Sequence, residues 1–166
     1  MVPLSTYDLL HKFEAEASQI VRYVYFRSLP RAEQDLSVLK NKLNGTGELG
    51  RGFYDAIRGI YNCARERDLA SLYIKLYRKG TAQEISALSD RFRNEAYRPT
   101  IDDYERGFLI AWEIAAKTLA FLKENYPEYP LNSEPQEKKK QQEAGDDAFV
   151  VAPRKKAREE RKGREG

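Results

Sequence analysis

Apolar residues recur every three or four positions through the first three quarters of the chain, the spacing that places side chains along one face of an α-helix. Leu9, Phe13, Ala17, Ile20, Val21 and Val24 mark a first helix that opens at Ser5 or Thr6 and reaches Ser28. The β-branched and aromatic residues from Ile20 to Phe26 imitate a strand locally, but Ser28-Leu29-Pro30 reads as a helix stop, with Pro30 suited to the first turn of the next helix. That second helix, over 30–43, buries Leu36, Leu39 and Leu43. Asn44-Gly45-Thr46-Gly47 then breaks the pattern, because glycine reaches backbone angles closed to other residues, and a loop is predicted over 44–48.

From Leu49 the periodicity is strong. Leu49, Phe53, Ile57, Ile60 and Ala64 fall within about 80° of one another at 100° per residue, whereas Arg51, Arg58 and Arg65 repeat every seven positions on the opposite side. Gly52 and Gly59 weaken this helix by up to about 1 kcal/mol each relative to Ala, a cost that close approach of another helix would explain. Asp68 is the predicted cap of a fourth helix running through Lys79, with Leu69, Leu72, Tyr73 and Leu76 on its apolar face, Lys75, Arg78 and Lys79 elsewhere, and Gly80 at its end.

Thr81-Ala82-Gln83-Glu84 has capping-box spacing and opens a fifth helix, with Ile85, Leu88 and Phe92 as its stripe, that ends before Pro99. A second box, Thr100-Ile101-Asp102-Asp103, opens a sixth. There Tyr104, Phe108, Ala111, Trp112, Ala115, Leu119 and Leu122 make a face broad enough for a central packing helix, which stops near Asn125 ahead of Pro127 and Pro130. The predicted fold is all-α: a compact bundle of about five or six helices over residues 1–130.

Beyond Pro130 the composition turns to Glu, Lys, Gln, Gly and Pro, leaving too few apolar side chains to offset the entropy of ordering the chain. Residues 131–166 are therefore expected to be a disordered charged tail. Its one apolar island, Phe149-Val150-Val151, lies between Asp146-Asp147 and Pro153-Arg154-Lys155-Lys156 and reads either as a short docking element or as part of an inert tail.

A chain of 166 residues suits one domain, and 41% hydrophobic residues against 33% charged ones suit a water-soluble one. The formal charge of +3 permits contact with nucleic acid without requiring it. Distribution says more than the total. Residues 49–98 hold ten Arg or Lys against six Asp or Glu, while residues 1–48 carry six of each. Cys63 stands alone, which excludes an internal disulfide and a thiolate metal cluster within one chain. With no secretion signal and no apolar run near twenty residues, the expected location is the cytoplasm, or the nucleus where there is one, and not a membrane.

Candidate chemistry follows the basic residues. Arg51, Arg58, Arg65, Arg67, Lys75, Arg78, Lys79, Arg91, Arg93 and Arg98 would form a shared nucleic-acid-binding surface if their helices packed side by side, neutralising phosphates and releasing counterions. The alternative is a solvated face of amphipathic helices, and RNA, single-stranded DNA and duplex DNA are not distinguished. The eleven tyrosines are read mainly as core or protein contacts, with Tyr54 and Tyr61 open between packing and base stacking.

His11, the only histidine, lies one position off the apolar face of the first helix and reads as a surface or boundary residue; Cys63 reads as a small packing residue. Asp102-Asp103 is explained by helix capping, and Asp146-Asp147 sits in the tail. Gly45-Thr46-Gly47 lacks the following Gly-Lys-Ser/Thr and the preceding strand of a phosphate loop. No cofactor, metal or catalytic set is therefore expected.

Residues 49–125, in particular Leu49-Gly50-Arg51-Gly52-Phe53-Tyr54-Asp55-Ala56-Ile57-Arg58, resemble the small helical subunit of type III CRISPR effector complexes: a Phe-Tyr pair in a hydrophobic-basic helix, a connector, and a late aromatic-rich helix. The Gly-rich entrance at 45–52 and the long basic tail depart from that pattern. The resemblance implies a non-catalytic subunit of an RNA-guided ribonucleoprotein, touching guide or target RNA backbone and neighbouring protein subunits, with self-association a further expectation. Arg51 and Arg58 would then face RNA while Phe53 and Ile57 hold the helix, and target cleavage would belong to other subunits. The competing readings are a helical protein–protein adaptor or structural subunit that binds no nucleic acid, and a small enzyme that binds its substrate across a helical interface.

Overall fold

The computed structural model describes residues 10–127; the expectations for the tail, including Phe149–Val151, fall outside them. Six helices follow in order: α1 (Glu14–Tyr25), α2 (Leu29–Lys42), α3 (Gly47–Glu66), α4 (Leu72–Lys79), α5 (Ala82–Ala96) and α6 (Asp103–Asn125). The fold is all-α, with no strand among the described residues. α6 is the central element, with α1, α3 and α5 packed along it, α2 against α1 and α3, and α4 against α3. Neighbours on several sides explain why every residue from Leu109 to Ala116 is buried, a run no one-sided amphipathic helix would show. Among the described residues no helix is long and apolar enough to cross a membrane.

The first segment is not one continuous helix. Leu10 and His11 are helical, a turn at Lys12 and Phe13 interrupts, and α1 starts at Glu14. It also ends at Tyr25, short of the expected Ser28. The stop is a Schellman turn: Arg27 N–H donates to the Val24 carbonyl at 3.1 Å and Ser28 N–H to that of Tyr23 at 2.8 Å, with Arg27 at φ 64°. The end of α3 repeats the device, with Arg67 at φ 55°, its N–H on the Ala64 carbonyl (3.3 Å) and the Asp68 N–H on that of Cys63 (3.0 Å). Arg27 Nη1 also donates to the Ala64 carbonyl at 2.6 Å, joining the two helix ends.

Two predicted caps move. Asp68 does not cap α4; its carboxylate accepts from Ala70 N–H (3.1 Å) in a preceding turn, and Ser71 caps the helix by accepting from Ile74 N–H at 3.2 Å. This later start goes with a shifted apolar face, in which Tyr73, Ile74 and Tyr77 are buried while Leu69 and Leu72 are 60% and 39% exposed. The cap of α6 is Asp102, accepting from Glu105 N–H at 2.8 Å, rather than Thr100. The Thr81/Glu84 box of α5 forms in full, with reciprocal bonds of 3.1 and 3.0 Å. Gly45, in the connection before α3, and Gly47, its first residue, take positive φ, and the helix thus begins two residues before Leu49.

α3 and α6 meet through two glycines. A methyl added at Gly52 would overlap the Tyr104 carbonyl oxygen, and one at Gly107 the Leu49 carbonyl oxygen, so each helix seats a bare backbone against the other. Gly59 faces open space, and so has no part in that approach.

Tyr25, Tyr73 and Tyr77 are buried and structural. Tyr25 meets Tyr77 edge-on with centroids 5.6 Å apart, Tyr77 stacks on Tyr73 at 5.6 Å, and the Tyr25 hydroxyl donates to the Tyr126 carbonyl at 3.0 Å. The Tyr73 hydroxyl is buried without a hydrogen-bond partner among the described residues, and burial pushes its pKa well above the phenol range. Lys123 of α6 caps the end of α4, donating to the carbonyls of Tyr77 (2.7 Å) and Leu76 (3.2 Å), and its partial burial lowers its pKa.

Candidate functional site

The apolar stripe of α3 turns inward as its spacing requires: Leu49, Phe53, Ile57, Ile60 and Ala64 are buried. Geometry then leaves Arg51, Arg58 and Arg65 on the outer side, and all three are exposed. Seven residues of helix rise about 10.5 Å, so the three guanidinium groups form a row about 21 Å long.

Each member is held differently. Arg51 Nη1 lies 3.2 Å from Glu48 Oε2, and its guanidinium sits 5.8 Å from the centre of the Tyr104 ring. That ring is fixed in turn, since the Tyr104 hydroxyl donates to Asp55 Oδ2 at 2.7 Å; this bond, with burial second, raises the phenol pKa. Arg65 Nη2 lies 3.3 Å from Glu66 Oε2, with its guanidinium 5.7 Å from the Tyr61 ring centre. Arg58, midway, has no ion-pair partner among the described residues. Exposed ion pairs of this kind contribute about 0–1 kcal/mol, so a phosphate can displace their carboxylates at little cost.

The other sequence candidates are scattered. Arg67 is exposed at the left-handed corner that ends α3, beside Arg65. Lys75 and Lys79 are exposed on α4, whereas Arg78 is half-buried. Arg91, Arg93 and Arg98 are exposed on or just after α5, but α5 packs along α6 and makes no comparable packing with α3 or α4. The condition for one shared surface is met in part: α4, with Lys75, Arg78 and Lys79, packs against α3, whereas Arg91 and Arg93 are carried by a helix not packed beside it.

Lys40 is the residue the sequence reading missed. α2 packs against α3 and holds the Lys40 ammonium 5.9 Å from the centre of the Tyr54 ring, in the stretch between Arg51 and Arg58. No sequence signal links Lys40 to Tyr54, because the contact depends on how two helices cross. Tyr61 is buried, with its hydroxyl 3.5 Å from Glu33 Oε1; burial, then the Glu33 charge, raises its pKa. Tyr54 is half-buried beneath Lys40. The two tyrosines left open by sequence are therefore packed under cations.

A second polar locus lies inside the bundle. Glu113, only 8% exposed, interrupts the apolar run of α6; its Oε1 is 3.6 Å from His11 Nε2, and its carbonyl accepts from Ser89 Oγ at 2.8 Å. The signal for it was legible as a lone acid within an apolar stretch. Arg106 is structural, donating to the carbonyls of Ala96 (2.6 Å), Arg98 (3.3 Å) and Ile101 (3.3 Å) where the chain turns from α5 to α6. Among the described residues no group of three or more His, Cys, Asp or Glu is placed to hold a metal ion.

No family model, curated protein or solved structure matches the chain. The functional reading therefore stands on the geometry of α3 and its surroundings.

Proposed function

We propose that this chain is a non-catalytic helical subunit of an RNA-guided ribonucleoprotein effector complex and contacts RNA backbone through the outer face of α3. The observation that carries the reading is the row of Arg51, Arg58 and Arg65, all exposed on one rigid helix at seven-residue intervals. A row of fixed guanidinium groups suits a polyanion better than a small ligand, since each group can neutralise a separate phosphate. The resemblance of residues 49–125 to small type III CRISPR subunits adds the ribonucleoprotein context, and with it neighbouring protein subunits as partners.

The test is fluorescence anisotropy with labelled single-stranded RNA, single-stranded DNA and duplex DNA at two salt concentrations, for the wild type and the R51Q/R58Q/R65Q variant. The variant is expected to keep its helical circular dichroism and to lose affinity across all sequences, with a shallower salt dependence. Salt-independent binding, or unchanged affinity in the variant, refutes the assignment of this face.

A second reading, a protein–protein adaptor, is favoured by Leu69 and Leu72, which stay exposed three residues apart at the corner after α3. Sedimentation of the wild type and of L69S/L72S separates the two: an assembly, with itself or with a co-purified protein, that the serine variant abolishes while nucleic acid fails to bind supports the adaptor.

A further inference from the structure

We propose that the α3 site is a two-helix backbone reader to which Lys40 of α2 contributes a phosphate contact, and that it grips the sugar–phosphate chain without stacking bases. This rests on the nucleic-acid reading above and narrows it.

The observation is where the cations lie. Three aromatic rings border the outer face of α3, and each has a cation over it: Arg51 over Tyr104 at 5.8 Å, Lys40 over Tyr54 at 5.9 Å and Arg65 over Tyr61 at 5.7 Å. A ring that stacks a base must present an open face. Here Tyr61 is buried, Tyr54 and Tyr104 are half-buried, and a charged group lies over each of them. The rings therefore serve as seats for the cations, limiting the side-chain freedom that would otherwise be lost on binding.

The same packing settles the membership of Lys40. Tyr54 lies three residues after Arg51 and four before Arg58, on the same side of the helix. A cation over its ring is thus close to the stretch between those two arginines, and Arg58 has no ion-pair partner among the described residues. The row gains a second rank from α2.

The acids nearby set the strength. Glu48 pairs with Arg51, Glu66 with Arg65, Glu33 lies beside the Tyr61 hydroxyl, and Asp55 accepts from Tyr104. Four cations, Lys40, Arg51, Arg58 and Arg65, face four carboxylates, so binding is moderate, and it tightens when the exchangeable acids Glu48 and Glu66 are neutralised.

The experiment uses the full chain and three probes of equal length: an oligouridylate, a mixed-sequence RNA and an abasic ribose–phosphate oligomer. K40Q is expected to weaken all three by at least roughly threefold and to lower the slope of log affinity against log salt by about one, while K117Q on α6 serves as a control of equal charge change. E48Q/E66Q is expected to tighten all three. The abasic oligomer is expected to bind the wild type within about threefold of the RNAs. If the wild type binds none of the probes, the nucleic-acid function itself falls. If it binds and K40Q equals the wild type, Lys40 is outside the site, and if the abasic oligomer binds more than about threefold more weakly, bases are being read; either result overturns this inference alone.

Discussion

Gly107→Ala tests the seam on which the bundle is built. In an open helix this change would stabilise by up to about 1 kcal/mol, because alanine loses less backbone entropy. At Gly107 the new methyl would overlap the Leu49 carbonyl oxygen and stand 2.9 Å from its carbonyl carbon and 3.1 Å from Phe53 N. Carbon contacts relax near 3.5 Å, so α3 and α6 must part by at least about 0.6 Å, more for the oxygen. The obstacle is backbone within a helix, which cannot rotate aside, so the overpacking cost falls towards the upper half of its usual range of roughly 1–3 kcal/mol.

After the propensity gain, a net loss of about 1–2 kcal/mol remains. With an unfolding entropy of roughly 2.1 cal/mol/K per residue over a bundle of about 120 residues, each kcal/mol shifts Tm by about 4 °C. Gly107→Ala is therefore expected to melt about 4–8 °C below the wild type by circular dichroism. Gly59→Ala, where an added methyl meets nothing within 4 Å, is expected to melt up to about 4 °C above it. Gly52→Ala strains the same seam from the α3 side, and one separation relieves both, so G52A/G107A should lose less than the sum of the single changes. A Gly107→Ala protein as stable as the wild type, or a Gly59→Ala protein as weakened as Gly107→Ala, would refute the close-approach reasoning.

Tyr73→Phe removes a buried hydroxyl that has no hydrogen-bond partner among the described residues, and should raise stability by about 1 kcal/mol in urea unfolding; a loss of that size would mean the hydroxyl is bonded. The raised pKa values of Tyr73, Tyr61 and Tyr104 mean that above the ordinary phenol range the unfolded chain releases protons the folded chain keeps, so stability present below about pH 10 falls as pH rises beyond it. Tyr73 should then give tyrosinate absorbance only as the far-ultraviolet helical signal is lost, and its ionisation in the folded protein would contradict this. The Glu16 carboxyl is held below its usual pKa, chiefly by the hydrogen bond from Lys42 at 2.8 Å, so the α1–α2 clasp contributes above the carboxylate range and fades as pH falls through it. Glu16→Gln should cost a few tenths to about 1 kcal/mol at pH 7 and nothing at pH 2.5, compared by denaturation midpoints. Asp102→Ala should cost about 1 kcal/mol as the loss of a helix cap while Thr100→Ala costs less than about 0.5, and the reverse order in thermal melts would restore Thr100 as the cap.

Sequence by itself determined what is local. A helix repeats within four residues, so the apolar spacing of Leu49, Phe53, Ile57, Ile60 and Ala64 was enough to turn Arg51, Arg58 and Arg65 outward, and the Thr81/Glu84 box closes within one turn whatever packs around it. Tertiary structure decided whatever depends on residues far apart in the chain. Ile74 and Tyr77 join the expected Tyr73 on the buried face of α4 in place of Leu69 and Leu72, and Tyr77 meets Tyr25 there. Pro30 signalled a stop after α1, but the left-handed turns at Arg27 and Arg67 that end α1 and α3 fall on residues with no glycine to mark them. The division of the basic residues, with Lys40 drawn to the arginine row and Arg91 and Arg93 carried on a helix packed elsewhere, follows from which helices lie against α6 and which against α3. Periodicity states which side of a helix avoids water; only the packing of the other helices states what that side meets.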